Sequence, residues 1–149
     1  KRYVECAKDE GGQILTGGDI PELDSQLASG WYFTPTIIEG LKQKSKLNQD
    51  EIFGPIVTLN KFKREDDVIK MANDTNYGLA AIIWSENINK ANKLAEMLEV
   101  GLVWINCWLE RDLRTPFGGI KNSGYGKEGG KYALDFFTDV KNVCVKYYD

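Results

Sequence analysis

The sequence predicts an α/β fold with a parallel sheet built as β-α-β-α-β. Between residues 55 and 105, apolar runs typical of strands alternate with two segments whose apolar residues recur at a helical period. The connections are short, and strands that alternate with helices in this way pair in parallel through right-handed crossovers. A glycine-rich loop follows the last strand, at the strand end where open parallel sheets bind ligands.

Before this core the pattern is less regular. Residues 3–10 have the spacing of the end of a helix, with two glycines as its stop. Because no cap precedes this helix, we expect the chain to be cut from a longer polypeptide. Residues 13–16 predict a short strand. Residues 31–38 predict an aromatic-rich strand, which Pro35 either confines to a sheet edge or divides.

The core elements then follow in order. Residues 55–62 are rich in β-forming side chains, and residues 65–73 predict a helix with an apolar face. Residues 79–84 form a continuous apolar run typical of a buried strand, residues 87–98 predict a helix with an apolar stripe, and residues 101–105 predict the last strand.

The glycine-rich loop spans residues 106–130 and is the candidate functional segment. Glycine is costly in entropy unless the backbone needs a positive φ or a close approach, and long loops in compact domains are usually functional. After it, residues 131–137 predict two helical turns, and residues 140–148 predict a terminal strand whose exposed edge needs a partner. The loop glycines are Gly118, Gly119, Gly124, Gly126, Gly129 and Gly130.

Composition narrows the function classes. The 149 residues contain no histidine, which removes Ser-His-Asp and Cys-His catalysis and histidine-ligated zinc from what this chain can do alone. The three cysteines are isolated, so a disulfide framework is not expected. A net charge of -3 gives no sign of nucleic-acid binding, and no apolar run has the length of a membrane span. We expect a cytoplasmic protein, or a mitochondrial one that has lost its targeting segment.

Four stretches of the chain form an ordered set of motifs. Residues 51–55 read Glu-Ile-Phe-Gly-Pro, residues 76–81 read Asn-Tyr-Gly-Leu-Ala-Ala, and residues 101–106 read Gly-Leu-Val-Trp-Ile-Asn. Residues 116–124 read Pro-Phe-Gly-Gly-Ile-Lys-Asn-Ser-Gly, and residues 126–129 follow with Gly-Lys-Glu-Gly. In this order the four stretches resemble the NAD(P)-dependent aldehyde dehydrogenase family, and the last of them resembles its C-terminal signature. The resemblance covers essentially the whole chain.

The resemblance implies a domain organisation. Residues 1–138 would be the C-terminal part of the aldehyde dehydrogenase catalytic domain, carrying the βαβαβ core. Residues 139–149 would be a strand of the oligomerisation arm. In the family this arm joins subunits, so the resemblance implies a homodimer or homotetramer that assembles through the C-terminal strand.

Two residues are expected to bind the cofactor. In the family, the glutamate matched by Glu51 accepts hydrogen bonds from the nicotinamide ribose hydroxyls, and the aromatic matched by Phe53 packs beside the nicotinamide. The two oxygens of a carboxylate can accept hydrogen bonds from both hydroxyls of a diol, and a flat apolar ring limits the orientations of the nicotinamide. The resemblance thus implies NAD, with NADP as an alternative. Taken alone, Glu51 would be an exposed acid, and Phe53 could equally be a core aromatic.

Three residues are expected near the substrate, and each has a plain alternative. The resemblance puts Asn106 close to the reacting centre, but buried amides are commonly structural and the structural interpretation is favoured. Phe117 matches a phenylalanine that lines the substrate tunnel, and simple packing is an equal alternative. Cys107 and Cys6 do not match the catalytic cysteine of the family and are interpreted as small buried hydrophobes.

Arg111 is the residue that could narrow the substrate. Residues 106–113 resemble the branch of the family that handles 2-aminomuconic and 2-hydroxymuconic semialdehydes, in which an arginine here helps to bind the carboxylate of the substrate. A guanidinium can hold a carboxylate by two parallel hydrogen bonds. The alternative is a surface arginine paired with Glu110 or Asp112. Arg114 is expected to be solvated.

The mechanism implied by the resemblance needs residues that this chain lacks. In the family a cysteine thiolate attacks the aldehyde, hydride passes to NAD, and a glutamate-activated water hydrolyses the thioester. Neither that cysteine nor that glutamate can be assigned here, so we expect no dehydrogenase activity from the 149-residue chain alone.

A different class of function remains as the alternative. The chain could be a stand-alone nucleotide-binding or assembly module, with backbone amides of the glycine-rich loop around a phosphate. Against nucleotide binding, no Gly-x-Gly-x-x-Gly follows a first strand, and no Gly-x-x-x-x-Gly-Lys-Ser/Thr is present.

Overall fold

The computed structural model describes residues 1–148. Contacts within the chain divide it into two compact units, Lys1–Thr75 and Asn76–Asp149, which are described separately. Asp149, the last residue of the predicted terminal strand segment 139–149, lies outside the described residues. Within the described part, the longest helix has 10 residues, and none is long and apolar enough to cross a bilayer.

The first unit is a three-stranded mixed sheet with helices. Its strands lie in the order β1-β2-β3; β1 is antiparallel to β2, and β2 is parallel to β3. Its elements are α1 (Arg2–Asp9), β1 (Gln13–Thr16), β2 (Thr36–Glu39), α2 (Lys46–Gln49), β3 (Ile56–Leu59) and α3 (Glu65–Asn73).

A small apolar core joins α1, β2 and α2. Four buried side chains form it, and partly buried neighbours such as Ile14 and Ile56 pack against them. At the rim the Tyr3 hydroxyl donates a hydrogen bond of 3.0 Å to Asp50. The hydrogen bond from Lys46, followed by that from Tyr3, holds the pKa of the Asp50 carboxyl below its ordinary value. The core residues are Ala7, Ile38, Leu41 and Leu47.

The second unit contains one βαβ unit and one short antiparallel pair. Strands β5 and β6 pair in parallel over four residues, with α4 between them in the chain. Ala91 of α4 and Trp104 of β6 are its buried hydrophobic residues in the described chain. The elements are β4 (Tyr77–Gly78), β5 (Ala80–Ile83), α4 (Ile88–Met97), β6 (Leu102–Ile105), β7 (Ile120–Lys121) and α5 (Gly130–Phe137).

The α/β class is confirmed, but the single βαβαβ sheet is not found. Strand β3 pairs with β2, in register from Thr36 opposite Ile56 to Glu39 opposite Leu59, and it belongs to a different sheet from β5 and β6. Periodicity identifies strands and helices, yet it carries no information on which strands pair. The predicted parallel pairing therefore holds for β5 and β6 only.

The strand predicted over residues 31–38 is shorter than expected. Residues 31–35 have no regular secondary structure, Trp31 is fully exposed, and β2 begins at Thr36. Because Pro35 cannot donate to a ladder, it ends the pattern on its N-terminal side. Pro35 thus divides the run, and the resulting strand lies at the centre of its sheet and not at an edge.

The strand predicted over residues 140–148 is also absent from the structure. This stretch has no regular secondary structure, and the side chains that alternate along it are exposed, including Val140 and Tyr147. A strand exists only when its backbone groups pair with another strand, and none in the described residues pairs with this one. The oligomerisation strand therefore remains a prediction.

Candidate functional site

The glycine-rich loop begins where β6 ends, and its far side returns to the start of that strand. The Gly101 backbone donates hydrogen bonds of 3.1 Å to the carbonyl oxygens of Gly78 and Leu79. A Cβ on Gly101 would lie 1.8 Å from the carbonyl oxygen of Gly118. Real Cβ atoms do not come this close to backbone, so the loop packs here because residue 101 has no side chain.

A second set of contacts fixes the middle of the loop. Strand β7 pairs with β4, and the Gly78 amide donates to Ser123 Oγ at 2.9 Å. The Asn122 amide donates to the Asn76 carbonyl at 2.9 Å. These bonds join residues 76–78, which open the second family motif, to residues 120–123 of the C-terminal signature, so the two motifs form one local structure.

The two limbs of the loop are also joined to each other. Phe117 and Glu128 exchange two backbone hydrogen bonds of 2.8 Å as an isolated antiparallel bridge. Half-buried Lys127 donates from Nζ to the carbonyl oxygens of Gly118 at 2.8 Å and Gly119 at 2.5 Å. Charge-assisted hydrogen bonds to carbonyls are stronger than neutral ones, so Lys127 stabilises the conformation of the loop.

Arg111 lies on the ring of Phe117. The guanidinium carbon is 4.0 Å from the ring centroid, and Nη2 is 3.9 Å from Glu128 Oε1. The alternative pair with Glu110 or Asp112 is not found in the described residues, because the ion pair of Arg111 is with Glu128 and Asp112 pairs with Arg114. The structure thus brings together two of the three expected substrate residues, Arg111 and Phe117, and adds Glu128.

In the alternative interpretation Arg111 would pair with Asp112. In the structure Asp112 pairs with Arg114 instead. Arg114 Nε donates to both carboxylate oxygens of Asp112, at 2.9 and 3.0 Å. These hydrogen bonds hold the pKa of the Asp112 carboxyl below its ordinary value and raise that of the Arg114 guanidinium. The Arg114 side chain is 88% exposed, which agrees with the expectation that it is solvated.

Asn106 performs a structural job in the turn after β6. Its side-chain amide donates to the Ser85 carbonyl and its oxygen accepts from the Ser85 amide, both at 2.8 Å. Its φ is 55°, a left-handed conformation that asparagine tolerates better than most residues. With both ends of its amide bonded to Ser85, Asn106 is not part of the Arg111 cluster.

The two expected cofactor residues lie together in the first unit, in the turn before β3. The side chains of Glu51 and Phe53 are exposed, Phe53 to 92%. Phe53 has a φ of 52°, which is strained for an aromatic residue. Within residues 1–148 the Glu51 carboxylate makes no hydrogen bond or ion pair. A strained turn that exposes an aromatic side chain and a carboxylate without a hydrogen-bond partner is typical of a binding segment.

Cys6 and Cys107, which the sequence interprets as small buried hydrophobes, are half-buried and not fully buried. The Cys6 thiol lies 3.3 Å from Glu10 Oε1, and this hydrogen bond raises the pKa of Cys6. A raised pKa disfavours the reactive thiolate at neutral pH. Cys144 is exposed. No cluster of potential metal ligands occurs in the described chain.

Residues 124–129 do have the Gly-x-Gly-x-x-Gly spacing, and α5 follows them. They follow β7, however, which is a two-residue strand in an antiparallel pair. The dinucleotide fingerprint requires a parallel strand of a βαβ unit, with the helix packed back on the sheet. The structural context of that fingerprint is therefore missing here.

Sequence reasoning missed the residues that hold the loop in place. Besides Lys127 and Glu128, Trp104 contributes: its ring nitrogen donates to the Glu110 carbonyl at 2.9 Å, and its ring meets Trp108 edge to face at 5.6 Å. The signal for Lys127 and Glu128 was available, since both stand in the Gly-Lys-Glu-Gly stretch of the signature. For Trp104 the sequence predicts only a place in an apolar strand.

Comparison with known proteins gives a consistent result. The sequence profile of the aldehyde dehydrogenase family matches residues 1–143. The 2-hydroxymuconic semialdehyde dehydrogenase of Pseudomonas sp. (strain CF600) is 48% identical over 144 residues, which cover 97% of this chain and 30% of that protein. The 2-aminomuconic semialdehyde dehydrogenase of Danio rerio is 46% identical over 149 residues, covering 99% of this chain and 31% of that protein.

Solved structures agree with the sequence matches. A crystal structure of betaine aldehyde dehydrogenase from Staphylococcus aureus in complex with NAD+ superposes with a TM-score of 0.87 at 40% identity, covering 91% of this chain and 27% of that one. The chain spans about 30% of the length of the curated relatives it matches. From the family profile, these identities and the shared fold, we conclude that the chain belongs to the aldehyde dehydrogenase family.

Proposed function

We propose that this chain is the C-terminal part of the catalytic domain of an NAD-dependent aldehyde dehydrogenase that oxidises a carboxylate-bearing semialdehyde to the acid. The substrate class rests on one observation in the glycine-rich loop: the guanidinium carbon of Arg111 lies 4.0 Å from the centroid of the Phe117 ring. The named activities of the relatives from Pseudomonas and Danio rerio, both of which act on acid semialdehydes, support the same class.

In this proposal Arg111 binds the far end of the substrate. A guanidinium offers five N–H donors in a planar fork, and two of them can bond both oxygens of a carboxylate. Phe117 lines the path of the carbon chain and keeps water from one face of the guanidinium. The nucleophilic thiol and the residue that activates the hydrolytic water belong to the rest of the catalytic domain.

The cofactor role falls to Glu51 and Phe53. The fit is chemical: an unpaired carboxylate suits the two hydroxyls of a ribose, and an exposed aromatic face suits a flat nicotinamide ring. When bound, NAD supplies the hydride acceptor. Glu51 fixes the ribose, and the left-handed φ of Phe53 holds its ring out from the turn. NADP remains the alternative cofactor.

Residues 139–149 are proposed to join subunits of a homodimer or homotetramer. This proposal is supported by the exposed apolar side chains of the stretch, which include Val140, Val143 and Val145. Val143 and Val145 alternate with Cys144 and Lys146, which suits a strand that acquires its backbone partners only from another part of the assembly.

The Glu51→Gln substitution tests the cofactor role. We expect the KM for NAD in the natural full-length protein to rise about two- to tenfold, the range of one hydrogen bond at roughly 0.5–1.5 kcal/mol, because the amide keeps one acceptor and loses the charge. The measurement is steady-state NADH formation at saturating aldehyde. Glu22→Gln, which neutralises another exposed acid, should leave the KM unchanged. Equal KM values for the wild type and Glu51→Gln would contradict the role of Glu51.

A further inference from the structure

The Phe117–Glu128 bridge presents two different side chains to one place. Residues that exchange both backbone hydrogen bonds in an antiparallel bridge stand directly opposite each other, and their side chains lie on the same face. Here those side chains are an aromatic ring and a carboxylate. Lys127, next to Glu128, is bonded to the carbonyls of Gly118 and Gly119, so the bridge is held at a second point.

Arg111 occupies the face that the bridge creates. Its guanidinium carbon is 4.0 Å from the Phe117 ring centroid, and its Nη2 is 3.9 Å from Glu128 Oε1. The ring contacts the guanidinium through a cation–π interaction, and the Glu128 carboxylate attracts its Nη2 group. At 3.9 Å the contact is longer than a hydrogen bond, so Glu128 attracts the guanidinium without occupying its N–H donors.

We propose that Glu128 is a positioning residue for Arg111, which sets the guanidinium so that its open N–H edge receives the carboxylate of an acid semialdehyde. The inference rests on the proposed function, because it assigns Arg111 the carboxylate of the substrate. Glu128 does not touch the substrate. It acts by limiting the orientations of a long side chain that would otherwise lose considerable rotamer entropy on binding.

Competition between Glu128 and the substrate would require a different geometry. A carboxylate that blocked Arg111 would accept hydrogen bonds from the fork, as Asp112 does from Arg114 at 2.9 and 3.0 Å. The Glu128 side chain is 64% exposed and that of Arg111 is 41% exposed, so solvent weakens both the attraction of Glu128 for Arg111 and its repulsion of a second carboxylate. Because Glu128 accepts no hydrogen bond from the fork, the N–H donors of Arg111 stay available to that second carboxylate.

The test is a comparison of two substrates in the natural full-length protein, glutarate semialdehyde and its methyl ester, which lacks the carboxylate charge. Glu128→Gln keeps the size of the side chain and removes its charge. We expect the KM for the acid semialdehyde to rise about two- to fivefold, in the range of an exposed ion pair. The kcat and the KM for the methyl ester should not change, because the ester has no carboxylate for Arg111 to bind. A loss of fold, in contrast, would affect both substrates. Glu128→Asp, which keeps the charge on a shorter stem, should give a smaller rise.

Two further variants separate the possible causes. Glu110→Gln neutralises an exposed acid beside Arg111 in the chain that makes no ion pair with it, and should leave both KM values unchanged. In an Arg111→Met background, Glu128→Gln should have no additional effect on the acid semialdehyde, since the group it positions is gone.

Each outcome decides between the claims. An unchanged or lowered KM for the acid semialdehyde in Glu128→Gln, or an undiminished effect in the Arg111→Met background, overturns the positioning role while Arg111 keeps its proposed function. If Arg111→Met itself leaves that KM unchanged, the proposed substrate class fails, and the role of Glu128 fails with it.

Discussion

Replacing Gly101 by alanine is expected to destabilise the chain by about 1–3 kcal/mol, the usual cost of forcing atoms into a packed site. The added Cβ would lie 1.8 Å from the Gly118 carbonyl oxygen and 2.8 Å from its carbonyl carbon. Both are backbone atoms, which cannot rotate away as the end of a side chain can. Either β6 or the glycine-rich loop must move, and the bridge between Phe117 and Glu128 moves with the loop.

Urea unfolding of the 149-residue chain measures this effect, with Gly54→Ala as the matched control. A Cβ on Gly54 meets no atom within 4 Å, and Gly54 does not have a positive φ, so its replacement should cost little. If the two variants had the same free energy of unfolding, the close approach of Gly101 to the loop would be refuted.

Arg111→Met is expected to raise the KM for an acid semialdehyde about 10- to 100-fold. Methionine retains an unbranched apolar stem over Phe117 and removes all five N–H donors. Hydrogen bonds to a charged group contribute roughly 1.5–3 kcal/mol, and each 1.4 kcal/mol is tenfold in affinity. The KM for the methyl ester of the same semialdehyde should change little, because it carries no charge for Arg111 to bind.

Arg114→Met is the control for that substitution. Arg114 is three residues away, is 88% exposed and is bonded to Asp112, so its loss should leave both KM values near those of the wild type. Equal losses for the two arginines would point to a general effect of positive charge on the binding of an acidic substrate. Equal losses for the acid and its ester would assign Arg111 a packing role.

The elements whose signal is local could be predicted from the sequence. Helix α3 spans residues 65–73 as predicted, and α4 and β6 match within two residues, because each carries its own apolar period. Helix α2 was missed, since four residues show no period, and only the Ser45 hydroxyl that accepts from the Leu47 amide marks its start. Strand β7, with two residues, is defined solely by its pairing with β4.

The candidate site shows the same division. The resemblance to the aldehyde dehydrogenase motifs was enough to single out Arg111 and Phe117, but it did not predict the contact between them. That contact depends on the bridge from Phe117 to Glu128, which joins residues eleven positions apart through backbone bonds that any residue type could make. The sequence therefore predicts a partner for Arg111 among its neighbours in the chain, whereas the structure has the partner, Glu128, across the loop.

The central claim is that this chain is the C-terminal part of an NAD-dependent dehydrogenase of acid semialdehydes. Its most direct test is NADH formation from NAD and glutarate semialdehyde, measured side by side for the natural full-length protein and for the 149-residue chain. We expect turnover by the full-length protein, a lower KM for the acid than for its methyl ester, and no turnover by the chain alone. Turnover by the isolated chain, or a full-length protein that does not oxidise the semialdehyde, would contradict the claim.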